Sequence, residues 1–149
     1  CRYAQERLWQ SAVISIGGNV IAYGAGNGEG WNVAIENPQE GAEGYLHVLD
    51  ITNKAIVTSA DTQRYYYVDG KKYCHIINPE TLFPAEFMHS VTVLADSSAQ
   101  ADALSTMLFN MSIEDGVKFV EALDGVEAVF VDLDYNEVFT SGFEAYIRQ

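Results

Sequence analysis

The chain has 149 residues, 48% of them hydrophobic, with three prolines and no low-complexity tract, so one domain with a proper core is expected. A formal net charge of −13 excludes a nucleic-acid surface, which needs clustered Lys and Arg to neutralise phosphates. No apolar run approaches the roughly 18 residues of a membrane helix, and Cys1 and Cys74 supply neither a metal spacing nor a disulfide framework.

The first segment, to about Gln10, reads as helix, with Leu8 and Trp9 as core candidates. No charged-then-apolar leader precedes it, so the chain is expected to start after any signal peptide. Cys1 stands where a mature bacterial lipoprotein carries its lipid. The residues from Cys1 to Leu8 nevertheless read as helix and not as a polar tether, which favours a fragment boundary. Residues 12–16 are a short apolar run meeting Gly17-Gly18-Asn19, the pattern of a buried strand entering a tight turn. Strands are expected over 20–23, 31–36, 45–51 and 54–57. The glycines of residues 24–30 superficially match a dinucleotide fingerprint, but no amphipathic helix follows and that reading fails.

Asp69-Gly70 between Arg64-Tyr65-Tyr66-Tyr67-Val68 and Lys71-Lys72-Tyr73-Cys74-His75-Ile76 is a strong hairpin signal. A strand over 90–95 leads into a helix starting near Ser97 or Ser98, where Ser97 and Gln100 fit a capping box and Leu104, Leu108 and Met111 form the apolar stripe. Ser112 with Asp115 caps a second helix to about Leu123. Residues 126–133, a turn at Asp134-Tyr135-Asn136 and residues 137–140 close the chain. Nine acidic residues from Glu114 to Glu144 face only Lys118, so this last third is a solvated anionic surface, and an anionic ligand would need a cation to bind there. Strands outnumber helices and hairpins dominate, which predicts an α+β fold with a largely antiparallel sheet and helices packed on it.

Three polar islands stand out in the apolar sequence. Asp102 and Thr106 are four apart on a predicted helix, so a carboxylate and a hydroxyl lie one turn above each other. Such a pair can share a hard cation, and magnesium prefers oxygen ligands. The same spacing also suits Asp102 at a helix dipole and Thr106 bonding back to a carbonyl. His75, on the exit strand of the hairpin, suits proton transfer or a phosphate contact, or else a structural donor. His47 and His89 sit in no motif. Thr58, Ser59 and Asp61 end a strand with small polar groups, fit for a ligand-contacting turn or an ordinary capped one. Gly17-Gly18-Asn19 allows close backbone approach to a ligand, or simply a tight turn. The tyrosines Tyr65, Tyr66 and Tyr67 suit cross-strand packing.

Ser15-Ile16-Gly17-Gly18-Asn19, Thr58-Ser59-Ala60-Asp61 with Arg64-Tyr65, Val68-Asp69-Gly70-Lys71, His75-Ile76-Ile77-Asn78-Pro79-Glu80-Thr81 and Ala101-Asp102-Ala103-Leu104-Ser105-Thr106 occur in an order that resembles the ApbE family, from about Ala12 to Ser141. The resemblance implies a FAD:protein FMN transferase. Such an enzyme uses Mg2+ and FAD, moves FMN to a Thr or Ser hydroxyl of an acceptor flavoprotein, and releases AMP. It implies Asp102 and Thr106 as metal ligands, and His75, Ile76, Ser59 and Asp61 as flavin-binding residues. His75 is the candidate catalytic group. It also implies the extracytoplasmic face of a bacterial membrane, where the full-length protein can be anchored by a lipid. Two alternatives stay open, a FAD pyrophosphatase giving FMN and AMP and a non-catalytic flavin-binding or assembly module.

The departures from the family pattern are local. Ala60 replaces a glycine, Asn78 stands where aspartate is common, and Leu82 replaces a glycine, which predicts a loop that turns differently. Family members are longer, and their N-terminal part, with its Gly-rich, lysine-containing loop, has no counterpart here. The chain is therefore expected to be a single domain over 1–149, the C-terminal portion of such a transferase, and inactive alone.

Overall fold

The computed structural model describes residues 6–28 and 30–149. Of the helix expected to about Gln10, residues 1–5, with Cys1, lie outside the described residues, as does Glu29 of the glycine loop, and residues 7–10 are turn and irregular chain instead of helix. The central feature is a six-stranded sheet in the order β1-β2-β5-β8-β9-β10, every neighbouring pair antiparallel. Its strands are β1 (Ala12–Ile16), β2 (Asn19–Tyr23), β5 (Lys54–Ala60), β8 (Ser90–Ala95), β9 (Glu127–Val131) and β10 (Glu137–Phe139). Two two-stranded ribbons accompany it, β3 (Trp31–Glu36) with β4 (Tyr45–Ile51) and β6 (Tyr65–Val68) with β7 (Lys71–Cys74). The helices are α1 (Ser98–Phe109) and α2 (Ile113–Glu121), followed late in the chain by a short 3-10 helix (Phe143–Tyr146) that the sequence reading missed.

Strand alternation sorts the apolar residues into two layers. Ala55 and Val57 of β5, and Val91, Val93 and Ala95 of β8, join Ala101, Leu108 and Phe109 of α1 and Val120 of α2 in one cluster. Ile56, Leu94 and Val129 point to the opposite face, against Ile35, Leu49 and Ile51 of the β3–β4 ribbon and Phe143. Because both faces of the sheet are covered, β8 is buried at every position. The architecture is α+β with a mostly antiparallel sheet, as the pattern of hairpins and helices implies. The helix starts follow from their caps: Ser97 accepts the Gln100 N–H at 3.4 Å, and Ser112 accepts the Asp115 N–H at 3.2 Å.

Four expectations need correcting. The run over 12–16 is a strand, but an exposed one at the sheet's edge, with Val13, Ile14 and Ile16 all open to solvent; a short apolar run cannot by periodicity distinguish an edge from a core strand. Leu8 and Trp9 are likewise exposed. β5 continues three residues past its expected end, because Thr58, Ser59 and Ala60 keep pairing with Thr92, Val91 and Ser90 of β8. Leu82 does not abandon the left-handed conformation but adopts it, at φ 59°.

Candidate functional site

One cavity of about 470 Å³ is lined by Gly17, Thr58, Ser59, His75, Asp102 and Thr106, together with Ile76 and Arg64. These residues come from four sequence-distant motifs: the β1–β2 turn, the end of β5, the exit of β7 and the second and third turns of α1. The antiparallel pairing of β2, β5 and β8 sets these ends side by side, and α1 lies across β5 and β8. Gly17 supplies the turn at φ 58°, and a side chain there would meet no other atom within 4 Å, so only the backbone conformation calls for glycine. The start of α1 is tied to the same turn, the Ser98 hydroxyl donating to Asn19 Oδ1 at 2.8 Å.

The helix side is built from paired hydroxyls. Ser59 Oγ donates to Ser105 Oγ at 3.0 Å, and Ser105 Oγ donates onward to the Asp102 carbonyl at 3.0 Å. Thr58 Oγ1 bonds Thr92 Oγ1 across the strands at 2.8 Å. Thr106 Oγ1 donates to the Asp102 carbonyl at 3.3 Å. That back-bond uses its proton and leaves its lone pairs available, so it is compatible with a hydroxyl ligand to a cation. Asp102 is the fifth residue after the Ser97 cap, and the first turn of α1 holds no acidic residue. The dipole effect fades beyond the first turn, so it does not account for Asp102. Its carboxylate is exposed and has no hydrogen-bond or ion-pair partner among the described residues.

On the hairpin side, Asp69 and Gly70 take φ of 50° and 80°, the signature of a type I′ turn, which matches the twist of the flanking strands. The register Tyr65↔Cys74 brings Arg64 opposite His75. The Arg64 carbonyl accepts both the His75 backbone N–H at 3.0 Å and the ring Nδ1–H at 3.2 Å. A carbonyl can only accept, so Nδ1 carries the proton and Nε2 of a neutral ring is left as the base. The role of the Arg64 carbonyl was missed in the sequence, although the Asp-Gly turn fixes the pairing that reveals it. Cys74 just before is buried, and burial pushes its thiol above the ordinary range. Beyond His75, Ile76 is buried. Asn78 is buried as well, its Oδ1 accepting the backbone N–H of Glu80 at 2.8 Å and of Thr81 at 3.1 Å. An aspartate oxygen could accept the same two bonds, and the neutral amide costs less to bury.

Asp61 stands apart from the other site candidates. It does not line the cavity; its carboxylate takes Lys72 Nζ at 3.1 Å and His89 Nδ1 at 2.9 Å instead.

The donor set of α1 suits a hard cation. It offers one carboxylate and one hydroxyl, with no thiolate or imidazole among them, which favours magnesium over zinc or copper. No cluster of three or more His, Cys, Asp or Glu able to hold a metal exists among the described residues. The pair alone therefore could not complete a coordination sphere; the other oxygens would have to be phosphate, water or protein from elsewhere.

The fold and cavity define an α+β domain with an unpartnered carboxylate, hydroxyls and an oriented imidazole around one opening. The chain belongs to the ApbE family, which it matches over residues 1–130. It is 29% identical over 140 residues to a FAD:protein FMN transferase of Klebsiella pneumoniae, covering 93% of this chain and 43% of that protein. It is 32% identical over 148 residues to the FAD:protein FMN transferase of Treponema pallidum, covering 93% and 41% respectively. Among solved structures it superposes on the ApbE protein of Thermotoga maritima with a TM-score of 0.84 at 30% identity, covering 93% of this chain and 45% of that one. The flavin transferase ApbE of Vibrio cholerae gives a TM-score of 0.81 at 29% identity, over 97% and 47% of the two chains. The chain therefore spans less than half the length of these relatives.

Proposed function

We propose that this chain is one domain, the C-terminal portion of a magnesium-dependent FAD:protein FMN transferase, and that it forms one wall of the transfer site. The observation that carries this reading is the convergence of four family motifs on one cavity, with the Asp102 carboxylate unpaired among the described residues. The names of the relatives support the activity, and their greater length supports a site completed by further chain.

The reaction joins an acceptor Thr or Ser oxygen to the FMN phosphorus and breaks the bond from that phosphorus to the bridging oxygen of FAD, so AMP leaves. Asp102 and Thr106 would hold magnesium, which when bound offsets the charge of the pyrophosphate oxygens. His75, its Nδ1–H fixed on the Arg64 carbonyl, presents Nε2 to take the acceptor hydroxyl's proton. Gly17 and the buried Ile76 bring backbone close to the flavin nucleotide, and Ser59 is held at the cavity wall by Ser105. Positioning and charge neutralisation supply most of the catalysis in such a transfer.

The test mixes the full-length protein, FAD, Mg2+ and an acceptor flavoprotein, then follows covalent flavin fluorescence after denaturation together with AMP release. Covalent flavin matched by AMP is the expected result. AMP and free FMN without covalent flavin would establish the pyrophosphatase alternative, and neither product would leave a binding or assembly module. The 149-residue chain alone is expected to transfer nothing, and transfer by it would overturn the one-wall reading. The family's extracytoplasmic setting, with lipid anchoring of the full-length protein, is part of the proposal, and cell fractionation tests it. Among the described residues no helix is long and apolar enough to cross a membrane.

A further inference from the structure

The β6–β7 ribbon that carries His75 hydrogen-bonds to no strand of the main sheet. A two-stranded hairpin on its own is only marginally stable, and the outer faces of Tyr65, Tyr66 and Tyr67 are exposed. Cys74 and Ile76, on either side of His75, are buried in the core cluster shared with α1, but the rest of the ribbon needs a further hold on the sheet. We propose that Asp61 is a positioning residue, whose carboxylate clamps the ribbon to the end of the sheet and so holds His75 over the cavity. The proposal rests on the flavin-transfer reading of that cavity.

The geometry is bidentate. One oxygen of Asp61 takes Lys72 Nζ of β7 at 3.1 Å, and the other takes His89 Nδ1, just before β8, at 2.9 Å. The Asp61 N–H donates to the His89 carbonyl at 2.9 Å, so the carboxylate is anchored where β5 and β8 part. His89 is fixed in turn. Its ring stacks on Tyr135 at 4.2 Å between centroids, and its N–H donates to the Val131 carbonyl at 2.9 Å. Lys72 is fixed on its other side by the Tyr65 ring, 4.7 Å from the ammonium. Both charged side chains are mostly buried, at 26% exposure for Lys72 and 16% for Asp61, so the pair is less screened than a surface one. Lys72 lies three residues before His75 with Tyr73 and the buried Cys74 between them, so a loosened Lys72 strains the anchor from which His75 projects. Nothing in the spacing of Asp61, Lys72 and His89 announces this cluster.

Cys74 offers a readout independent of the chemistry. It sits between Lys72 and His75 and its thiol is buried, so alkylation requires the ribbon to open. The experiment compares full-length wild type with Asp61→Ala, Lys72→Met and Lys72→Arg. It measures Cys74 labelling by peptide mapping, and kcat and KM for FAD in the transfer assay. Asp61→Ala and Lys72→Met should each raise Cys74 labelling about tenfold, the effect of about 1.4 kcal/mol on a local opening equilibrium. They should lower kcat about tenfold while KM for FAD moves less than about threefold, because positioning acts on the reacting geometry more than on ground-state binding. Lys72→Arg keeps the ion pair and should restore both readouts toward wild type. Labelling and kcat both unchanged in Asp61→Ala and Lys72→Met would overturn the clamp. A kcat loss without increased labelling would overturn it too, placing Asp61 or Lys72 on the substrate instead. If Asp61→Ala fails to fold, Lys72→Met decides the matter. If wild type transfers no flavin, the functional reading falls while the labelling arm still judges the clamp.

Discussion

The two sides of the cavity are held by different physics. On the helix side, α1 lies over β5 and β8, Leu108 and Phe109 are fully buried beneath it, and the hydroxyls of Ser59, Ser105 and Thr106 form a chain of bonds ending on the Asp102 carbonyl. On the hairpin side, β6 and β7 pair only with each other, and only the exit of β7, through the buried Cys74 and Ile76 with Ala85, joins the core; the Asn78 turn and a bridge between Ile77 and Pro84 hold the loop beyond. Core packing supplies most of the stability of a domain, while elements with few buried contacts open locally at lower cost. Asp102 and Thr106 are therefore displayed on a packed helix, and His75 at the one point where a mostly exposed ribbon enters the core. Under the proposed function, such a site would separate charge neutralisation, which needs a fixed scaffold, from proton transfer, which needs alignment of one ring.

The sharpest break of that contrast removes the functional group of each side in turn. In the full-length protein, Asp102→Ala should lower magnesium-dependent flavin transfer by more than about 10³-fold, the scale of losing a charge-stabilising element. Its melting temperature should stay near wild type, since the carboxylate has no hydrogen-bond or ion-pair partner among the described residues; unchanged turnover removes the metal assignment. His75→Gln should lower kcat by about 10²- to 10⁴-fold, the worth of a general base, with magnesium affinity by calorimetry unchanged. A matching loss of magnesium affinity would place His75 in the metal site instead.

Stability changes probe the scaffold. Leu108→Ala should destabilise by about 2–5 kcal/mol in urea unfolding, because the side chain is fully buried between α1 and the sheet. A loss below about 1 kcal/mol would mean that the wall is looser than its burial implies. Leu82→Gly is the smallest change and should have the opposite sign. Leu82 holds φ 59° with its side chain mostly exposed, and relieving that left-handed strain should gain up to about 1 kcal/mol. A loss would show that the leucine side chain packs usefully after all.

How much of this was legible in the sequence differs from residue to residue. The Asp69-Gly70 turn is written locally, because only residues tolerant of positive φ suit a type I′ hairpin, and its pairing already places Arg64 opposite His75. The capping of α1 by Ser97 and the four-residue spacing of Asp102 and Thr106 are local too. The exposure of Val13, Ile14 and Ile16 was not legible, since apolar content says that a strand is favourable and not which neighbours it gets. Asp61 shows the same limit at the site. Its place in a ligand-type motif suggested a flavin contact, yet Lys72 and His89 take both oxygens, and neither stands at a spacing that marks it as a partner.

The sequence by itself determined most of the strands and the two helices, the antiparallel α+β class and the family, because turn chemistry, caps and strand patterns act over a few residues. Tertiary structure alone decided which polar groups share the cavity, which are spent on holding it together, and which apolar strand lies at the edge. Those outcomes depend on strand order and on contacts between distant segments, such as Ser59 with Ser105 and Asp61 with His89, and no short stretch of sequence encodes them.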